Sequence, residues 1–169
     1  KGLKMKITLK SLKENWMKYR VDFKSTVIDN PYIPHKPFLN QVHFLTHPSE
    51  ELLYGGQAGG GKSDALLMSA LQYVTEPDYS ALILRKTYQD LSRPNAIMDR
   101  ANKWLSPHEE LHWNSNTKTW TFPSGATLSF GYLAHNNDLD QYQGAELQFV
   151  GFDELTQFPE NQYTYLHSR

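Results

Sequence analysis

The sequence predicts an α/β fold, with a mainly parallel sheet flanked by helices and a β-hairpin inserted in it. Strand-like and helix-like segments alternate along most of the 169 residues, as expected of strands joined through helices. The run 79–84 is almost continuously apolar, which indicates a strand buried on both faces. Residues 116–133 instead alternate around Pro123-Ser124-Gly125, which predicts two antiparallel strands joined by a turn.

The remaining elements follow from hydrophobic spacing and from prolines. Residues 11–23 place Leu12, Trp16 and Tyr19 on one stripe, which predicts a helix. Three prolines between positions 30 and 37 predict an extended connector. Further along, we expect a short helix over 40–45, a strand over 51–54, helices over 62–73 and 95–105, a strand over 147–152 and a helix over 159–166.

Composition limits the class of protein. A chain of this length accommodates one domain with a full core, whereas two domains would each be small. It contains no cysteine, which excludes disulfide scaffolds and Cys-ligated zinc or iron–sulfur sites. No apolar run approaches the roughly 20 residues that span a bilayer, and no signal-peptide pattern is present. A cytosolic protein without membrane contact is therefore expected.

The net charge of −1 conceals an uneven distribution. Residues 1–24 carry eight Lys or Arg against Glu14 and Asp22, a net charge of +6, so the other residues carry a net charge of −7. A basic arm of this kind can contact nucleic acid or an acidic partner. A solvated helix face would explain the same charges, and the sequence leaves both interpretations open.

The strongest motif is GQAGGGKS at 56–63, which matches G-x-x-x-x-G-K-[ST] in full. Glycines let backbone N–H groups surround a phosphate, and the helix predicted from Lys62 adds its positive end. Lys62 is expected to reach the β- and γ-phosphates of ATP, and the Ser63 hydroxyl to ligate Mg²⁺. The other predicted nucleotide-binding residues of this phosphate loop are Gly56, Gln57, Ala58, Gly59, Gly60 and Gly61.

A second motif is the acid pair that ends the apolar run 147–152. Asp153 and Glu154 are expected at the carboxyl edge of the sheet, where ligands bind in open α/β folds. Asp153 is predicted to hold Mg²⁺ through its water shell, and Glu154 to orient and deprotonate the attacking water. Acid pairs are common at strand ends, and this one is informative because a phosphate loop precedes it.

These motifs resemble the additional-strand, catalytic-Glu class of phosphate-loop ATPases. Four segments are also similar to the large terminase subunit of tailed bacteriophages: KPFLNQVHFL at 36–45, GGQAGGGKS at 55–63, LILRKTY at 82–88, and YQGAE at 142–146 running into VGFDELTQF at 150–158. The resemblance covers roughly residues 36–169. It implies the phosphate-loop NTPase fold and a motor that hydrolyses Mg-ATP to drive double-stranded DNA into a preformed capsid.

The resemblance also implies a domain organisation and partners. Residues 36–169 would form the ATPase domain, truncated at its C-terminal side and without the family's nuclease domain or nuclease activity, and residues 1–35 a basic helix with the Pro-rich connector. Gln41 would hydrogen-bond the adenine edge. Implied partners are double-stranded DNA, the portal and the small terminase subunit. The active protein would form a homo-oligomeric ring, and a chain of this length could also be a monomer. It would act in the host cytoplasm, transiently at the procapsid portal.

One departure concerns the positive charge that stabilises the transition state. Many terminases place an arginine inside the phosphate loop, where this chain has Gln57 and Ala58. Arg85, at the carboxyl end of a predicted strand, is the favoured replacement as a catalytic residue. Arg93 and Arg100 are alternatives, acting within the chain or from a neighbouring subunit.

Two other functions fit the sequence. The first is a helicase or translocase of superfamily 2, although Asp153-Glu154-Leu155-Thr156 departs from the Asp-Glu-Ala-Asp pattern. The second is a nucleotide-binding assembly module with little turnover, which would suit a phosphate loop without an arginine.

Overall fold

The computed structural model describes residues 23–56 and 59–167. Five strands form one sheet in the order β2-β3-β4-β1-β5. The strands are β1 (Ser80–Arg85), β2 (His112–Asn114), β3 (Thr119–Thr121), β4 (Thr127–Tyr132) and β5 (Phe149–Phe152). The helices are α1 (Leu39–Leu45), α2 (Lys62–Leu71), α3 (Tyr88–Ser92), α4 (Ile97–Leu105) and α5 (Glu160–His167).

The predicted helices over 40–45, 62–73, 95–105 and 159–166 are confirmed as α1, α2, α4 and α5, and the predicted strands over 79–84 and 147–152 as β1 and β5. The sequence did not indicate α3, a π-helical turn at Lys24–Ile28, or 3₁₀ turns at Asn136–Tyr142 and Leu155–Gln157. The helix predicted over 11–23 lies outside the described residues, apart from its last position. None of the described helices has the length and apolar character needed to cross a membrane.

The sheet is mixed, so the prediction of a mainly parallel sheet is wrong. β1 runs parallel to both of its neighbours, β4 and β5, whereas β3 is antiparallel to both β2 and β4. The predicted hairpin is present and explains the difference. Its second strand, β4, pairs directly with β1, so the antiparallel strands extend the sheet itself instead of forming a separate insertion.

The strand predicted over 51–54 is also wrong, because this segment is irregular. Leu53 is 79% exposed, and the segment joins none of the five strands. An apolar run of three residues, 52–54, between a glutamate and glycines does not by itself define a strand. Glu51 instead accepts a hydrogen bond from the Tyr163 hydroxyl of α5. Within the described residues, β5 is therefore an edge strand.

The central strand β1 is buried on both faces, as the sequence predicts. Ala81 and Ile83 belong to an apolar cluster that includes side chains of α2 and α4. Leu82 and Leu84 belong to a second, smaller cluster on the opposite face, with Leu166 of α5. Because successive side chains of a strand point to opposite faces, the four residues 81–84 contribute to both cores.

Candidate functional site

The carboxyl ends of β1 and β5 bring together two residues that the sequence analysis selected separately. Leu84 is in register with Phe152, and the Asp153 amide donates to the Leu84 carbonyl at 2.9 Å. The residues that follow on each strand, Arg85 and Asp153, are therefore neighbours. Arg85 Nε lies 2.8 Å from Asp153 Oδ2. The predicted catalytic arginine thus forms an ion pair with the predicted metal ligand.

This ion pair is buried and poorly hydrogen-bonded. The side chains of Arg85 and Asp153 are 18% and 8% exposed, and the Arg85 Nε–H is poorly aligned with Asp153 Oδ2 for a hydrogen bond, despite the short separation of the two atoms. Burial raises the pKa of the Asp153 carboxyl, the Arg85 charge opposes that rise, Glu154 adds to it and Lys62 lowers it. A cation delivered to this edge would stabilise the ionised carboxylate.

Glu154 follows the pair directly and has an unusual backbone conformation. Its φ of 61° and ψ of 55° lie in the left-handed region, which costs an L-residue about 1–2 kcal/mol. Its side chain is exposed, and the 3₁₀ turn at Leu155–Gln157 begins immediately after it. Strained conformations of this kind cluster at functional sites. The predicted general base therefore stands at a constrained, solvent-facing position beside Asp153.

Three described glycines of the predicted phosphate loop, Gly56, Gly59 and Gly61, adopt backbone conformations that other residues rarely reach. Gly59 and Gly61 have φ of 80° and 69°, both in the left-handed region. The helix α2 begins directly after Gly61, as predicted. Lys62 Nζ donates a hydrogen bond to the Gly56 carbonyl at 3.0 Å, so the side chain folds back over the loop. Residues 57 and 58 lie outside the described part of the chain.

Close packing of α2 on β5 brings the loop toward the acid pair. A Cβ on Gly151 would lie 2.8 Å from Leu66 Cδ1, so this glycine permits the helix to approach the strand closely. Leu66 lies about one turn after Lys62, and Gly151 lies two residues before Asp153. The same packing explains why the charge of Lys62 acts on Asp153. Ser63 lies in the first turn of α2, half-buried.

Of the three candidate arginines, all within the described residues, Arg85 is the one that contacts Asp153. Arg100 of α4 donates a hydrogen bond to Asp64 in the first turn of α2. Arg93 lies 3.1 Å from Asp90 and is largely exposed. The structure therefore ties Arg100 to the base of the phosphate-loop helix, and it leaves Arg93 on the surface.

Gln41 is fully buried, and its amide is occupied within the protein. Its Oε1 accepts from the Phe38 amide and its Nε2 donates to the Gly61 carbonyl, both at 2.8 Å. A Cβ on Gly61 would lie 2.6 Å from Nε2, so the contact requires glycine at this position. Gln41 thus fastens α1 to the end of the phosphate loop. Its contact with adenine stays a prediction.

The donor atoms at this edge fit Mg²⁺ only as part of a larger coordination shell. Among the residues that the structure describes, no three His, Asp or Glu side chains lie together as a metal site. Ser63 and Asp153 would supply a hydroxyl and a carboxylate. Mg²⁺ is commonly held in this way, with waters completing its octahedron and phosphate oxygens replacing some of them when a nucleotide binds.

A cleft of about 580 Å³, which the sequence did not indicate, lies around the end of β4. Its lining includes Tyr88, Tyr132, Tyr142 and Lys118. The rings of Tyr88 and Tyr132 meet edge to face at 6.0 Å, and Lys118 Nζ lies 5.7 Å from the centre of the Tyr88 ring. These residues are scattered along the chain and meet because β1 pairs with β4, so no local sequence signal marks the cleft.

The fold and the site define an α/β protein that presents an arginine and two carboxylates at the carboxyl edge of its sheet, beside a glycine-rich turn that begins a helix. The chain belongs to the large terminase subunits: residues 53–169 match the family described as terminase large subunit, T4likevirus-type, N-terminal. The family predicted from the motifs is therefore confirmed. Comparison with curated proteins and with solved structures gave no match. The matched region contains Lys62, Arg85, Asp153 and Glu154, and it begins after Gln41.

The backbone conformation of Glu154 predicts that glycine is more stable than alanine at this position, the reverse of the usual order. The free energy of unfolding of Glu154→Gly should be about 1 kcal/mol higher than that of Glu154→Ala, because glycine adopts the left-handed conformation without strain. Urea denaturation measures both variants. Glu109, exposed and without a positive φ, provides the control, at which alanine should match or exceed glycine. An alanine variant of Glu154 more stable than the glycine variant would contradict the assigned conformation.

The raised pKa of Asp153 predicts a pH-dependent effect of Asp153→Asn. Above the ordinary value of 3.8 and below the folded value, the unfolded chain is ionised while the folded protein keeps the proton. The folded state then binds more protons, so the contribution of Asp153 to stability falls as pH rises through this range. Asparagine does not titrate, and the stability of Asp153→Asn relative to the wild type should therefore rise from about pH 4 to pH 7.

Urea denaturation at both pH values tests this prediction, with Asp140→Asn at an exposed position as the control. A difference between Asp153→Asn and the wild type that is the same at both pH values would show that burial does not penalise the carboxylate.

Proposed function

We propose that this chain is the ATPase motor domain of a DNA-packaging terminase large subunit, with a phosphate-loop NTPase fold, and that it hydrolyses Mg-ATP to drive double-stranded DNA into a capsid. The observation that carries the proposal is the convergence of the glycine turn before α2 with Arg85, Asp153 and Glu154 at one edge of the sheet. Membership of the terminase family supports it. The family match also favours a terminase over a superfamily 2 helicase.

In this proposal the phosphate loop binds the triphosphate. Backbone N–H groups at the start of α2 have no partners within the helix and favour an anion. Lys62 exchanges the Gly56 carbonyl for the β- and γ-phosphates, since a phosphate oxygen is the stronger acceptor for an ammonium group. The fixed end of the loop, where Gln41 bonds to Gly61, keeps its position.

The two carboxylates then have separate roles. Ser63 and Asp153 hold Mg²⁺, which when bound neutralises negative charge on the phosphate oxygens. Glu154 orients a water molecule for attack on the γ-phosphorus and accepts its proton as the new P–O bond forms. The bond from the γ-phosphorus to the β,γ-bridging oxygen breaks in the same reaction, and ADP leaves. Exposure suits Glu154 to this role because it is more open to water than Asp153, whose side chain is only 8% exposed.

Other parts of the proposal depend on the family. These are the contacts with DNA, the portal and the small subunit, assembly into a ring, and action in the host cytoplasm at the procapsid. For adenine recognition, the fully buried Gln41 would have to become accessible and offer its second N–H and second oxygen lone pair to the base, since its two internal hydrogen bonds use only one of each. The structure gives Gln41 a positioning role in addition to that proposed contact.

We expect Lys62→Ala to bind a slowly hydrolysed ATP analogue with Mg²⁺ about 10- to 100-fold more weakly, since charge-assisted hydrogen bonds to phosphate are lost. Isothermal titration calorimetry measures the affinity. Lys24→Ala, which removes an exposed partner of Asp29, is the control and should bind like the wild type. Equal affinities of Lys62→Ala and the wild type would rule out the proposed phosphate loop.

We expect Glu154→Gln to keep nucleotide affinity and to lose about 10²- to 10⁴-fold in ATP hydrolysis, because an amide does not accept the proton. Phosphate release under single-turnover conditions measures the rate, and calorimetry the binding. Normal hydrolysis by Glu154→Gln would exclude it as the general base. Tight binding without hydrolysis by the wild type would instead indicate a nucleotide-binding assembly module.

A further inference from the structure

The contact between Arg85 and Asp153 differs from the other Arg–Asp pairs among the described residues. Arg100 forms a hydrogen bond with Asp64, and Arg93 pairs with Asp90 at the surface. Arg85 Nε and Asp153 Oδ2 instead lie 2.8 Å apart with Asp153 buried and Arg85 largely so, and the Arg85 N–H is poorly aligned for a hydrogen bond. Attraction of charge therefore contributes more to this contact than a directional bond does.

We propose that Arg85 is the internal counter-ion of Asp153 and that it yields this position to the divalent cation that arrives with the nucleotide. This pair would stabilise the site before Mg²⁺ and nucleotide bind. Its role in catalysis rests on the proposed ATPase function. Arg85 would then pair with Asp153 in the cation-free protein, in addition to the role predicted for it in stabilising the transition state.

The geometry supports an exchange of partners. The backbone of Arg85 is fixed, because its carbonyl accepts from the Leu133 amide at 3.2 Å and its strand pairs on both sides. Its side chain carries the mobile charge, and the guanidinium retains some contact with solvent. Asp153 is the more deeply buried partner and stays in place. A change of side-chain conformation at Arg85 is therefore sufficient, without rearrangement of the sheet.

Electrostatics also favours the replacement of Arg85 by a divalent cation beside Asp153. A buried carboxylate without a counter-charge is unfavourable, so the cation-free protein needs a positive group beside Asp153. A divalent cation next to the same carboxylate removes that need and repels the guanidinium. Arg85 is then released at the edge where the phosphate loop would bring the triphosphate, which a guanidinium binds strongly.

Thermal unfolding without nucleotide tests the proposal, because its outcome does not depend on ATP hydrolysis. Without divalent cations, Arg85→Met should unfold about 5 °C or more below the wild type, as Asp153 loses its main counter-charge. Millimolar MgCl₂, compared with NaCl at equal ionic strength, should raise the unfolding temperature of Arg85→Met about 2–4 °C more than that of the wild type. Arg85→Lys retains a positive charge and should respond like the wild type.

Two further variants separate this role from a general loss of packing. The double variant Arg85→Met with Asp153→Asn should recover part of the lost stability and should not respond to MgCl₂ beyond the NaCl control. Lys103→Met, which removes an exposed partner of Asp99, should show no specific response to MgCl₂. Equal responses to MgCl₂ by Arg85→Met and the wild type would overturn the proposal, as would a persistent response in the double variant.

Discussion

The burial of β1 on both faces is the constraint on which the rest of the structure depends. Ala81 and Ile83 require apolar cover on one side of the sheet, and Leu82 and Leu84 require it on the other. A strand buried in this way also needs partners for its backbone groups on both edges, and β4 and β5 supply them in parallel. Parallel pairing places the ends of β1 and β5 at one edge, so Arg85 meets Asp153 as a direct consequence.

The site at that edge retains features that do not favour stability. Asp153 is a buried carboxylate with a raised pKa, and Glu154 occupies a left-handed backbone conformation. Each lowers the free energy of unfolding relative to a conventional residue at the same position. Both features are explained if this edge of the sheet binds ligands. A cation would offset the buried charge of Asp153, and the constrained backbone would fix the direction in which the proposed general base, Glu154, leaves the strand.

How much the sequence could predict depended on the range of each signal. The buried run that forms β1, the glycine turn before α2 and the acid pair after β5 are local patterns, and each was assigned from neighbouring residues. The mixed sheet was not predictable in that way, because a hairpin motif does not say which strand its second strand pairs with next. The same limit applies to Arg85 and Asp153, since their contact depends on the neighbouring positions of β1 and β5. The segment 51–54 shows the converse, a short apolar run that pairs with none of the five strands.

The contacts around the phosphate loop divide into fixed and exchangeable groups. Gln41 bonds to Gly61 without access to solvent, and Asp64 joins the first turn of α2 to Arg100. These contacts hold the helix end at which a phosphate would bind. Lys62 and Arg85, by contrast, have contacts that stronger ligands can replace: Lys62 donates to a loop carbonyl, and Arg85 is poorly aligned with the carboxylate of Asp153. A triphosphate with its metal ion offers the two side chains stronger partners, so binding can proceed by exchange of side-chain contacts while the backbone of α2 and β1 keeps its position.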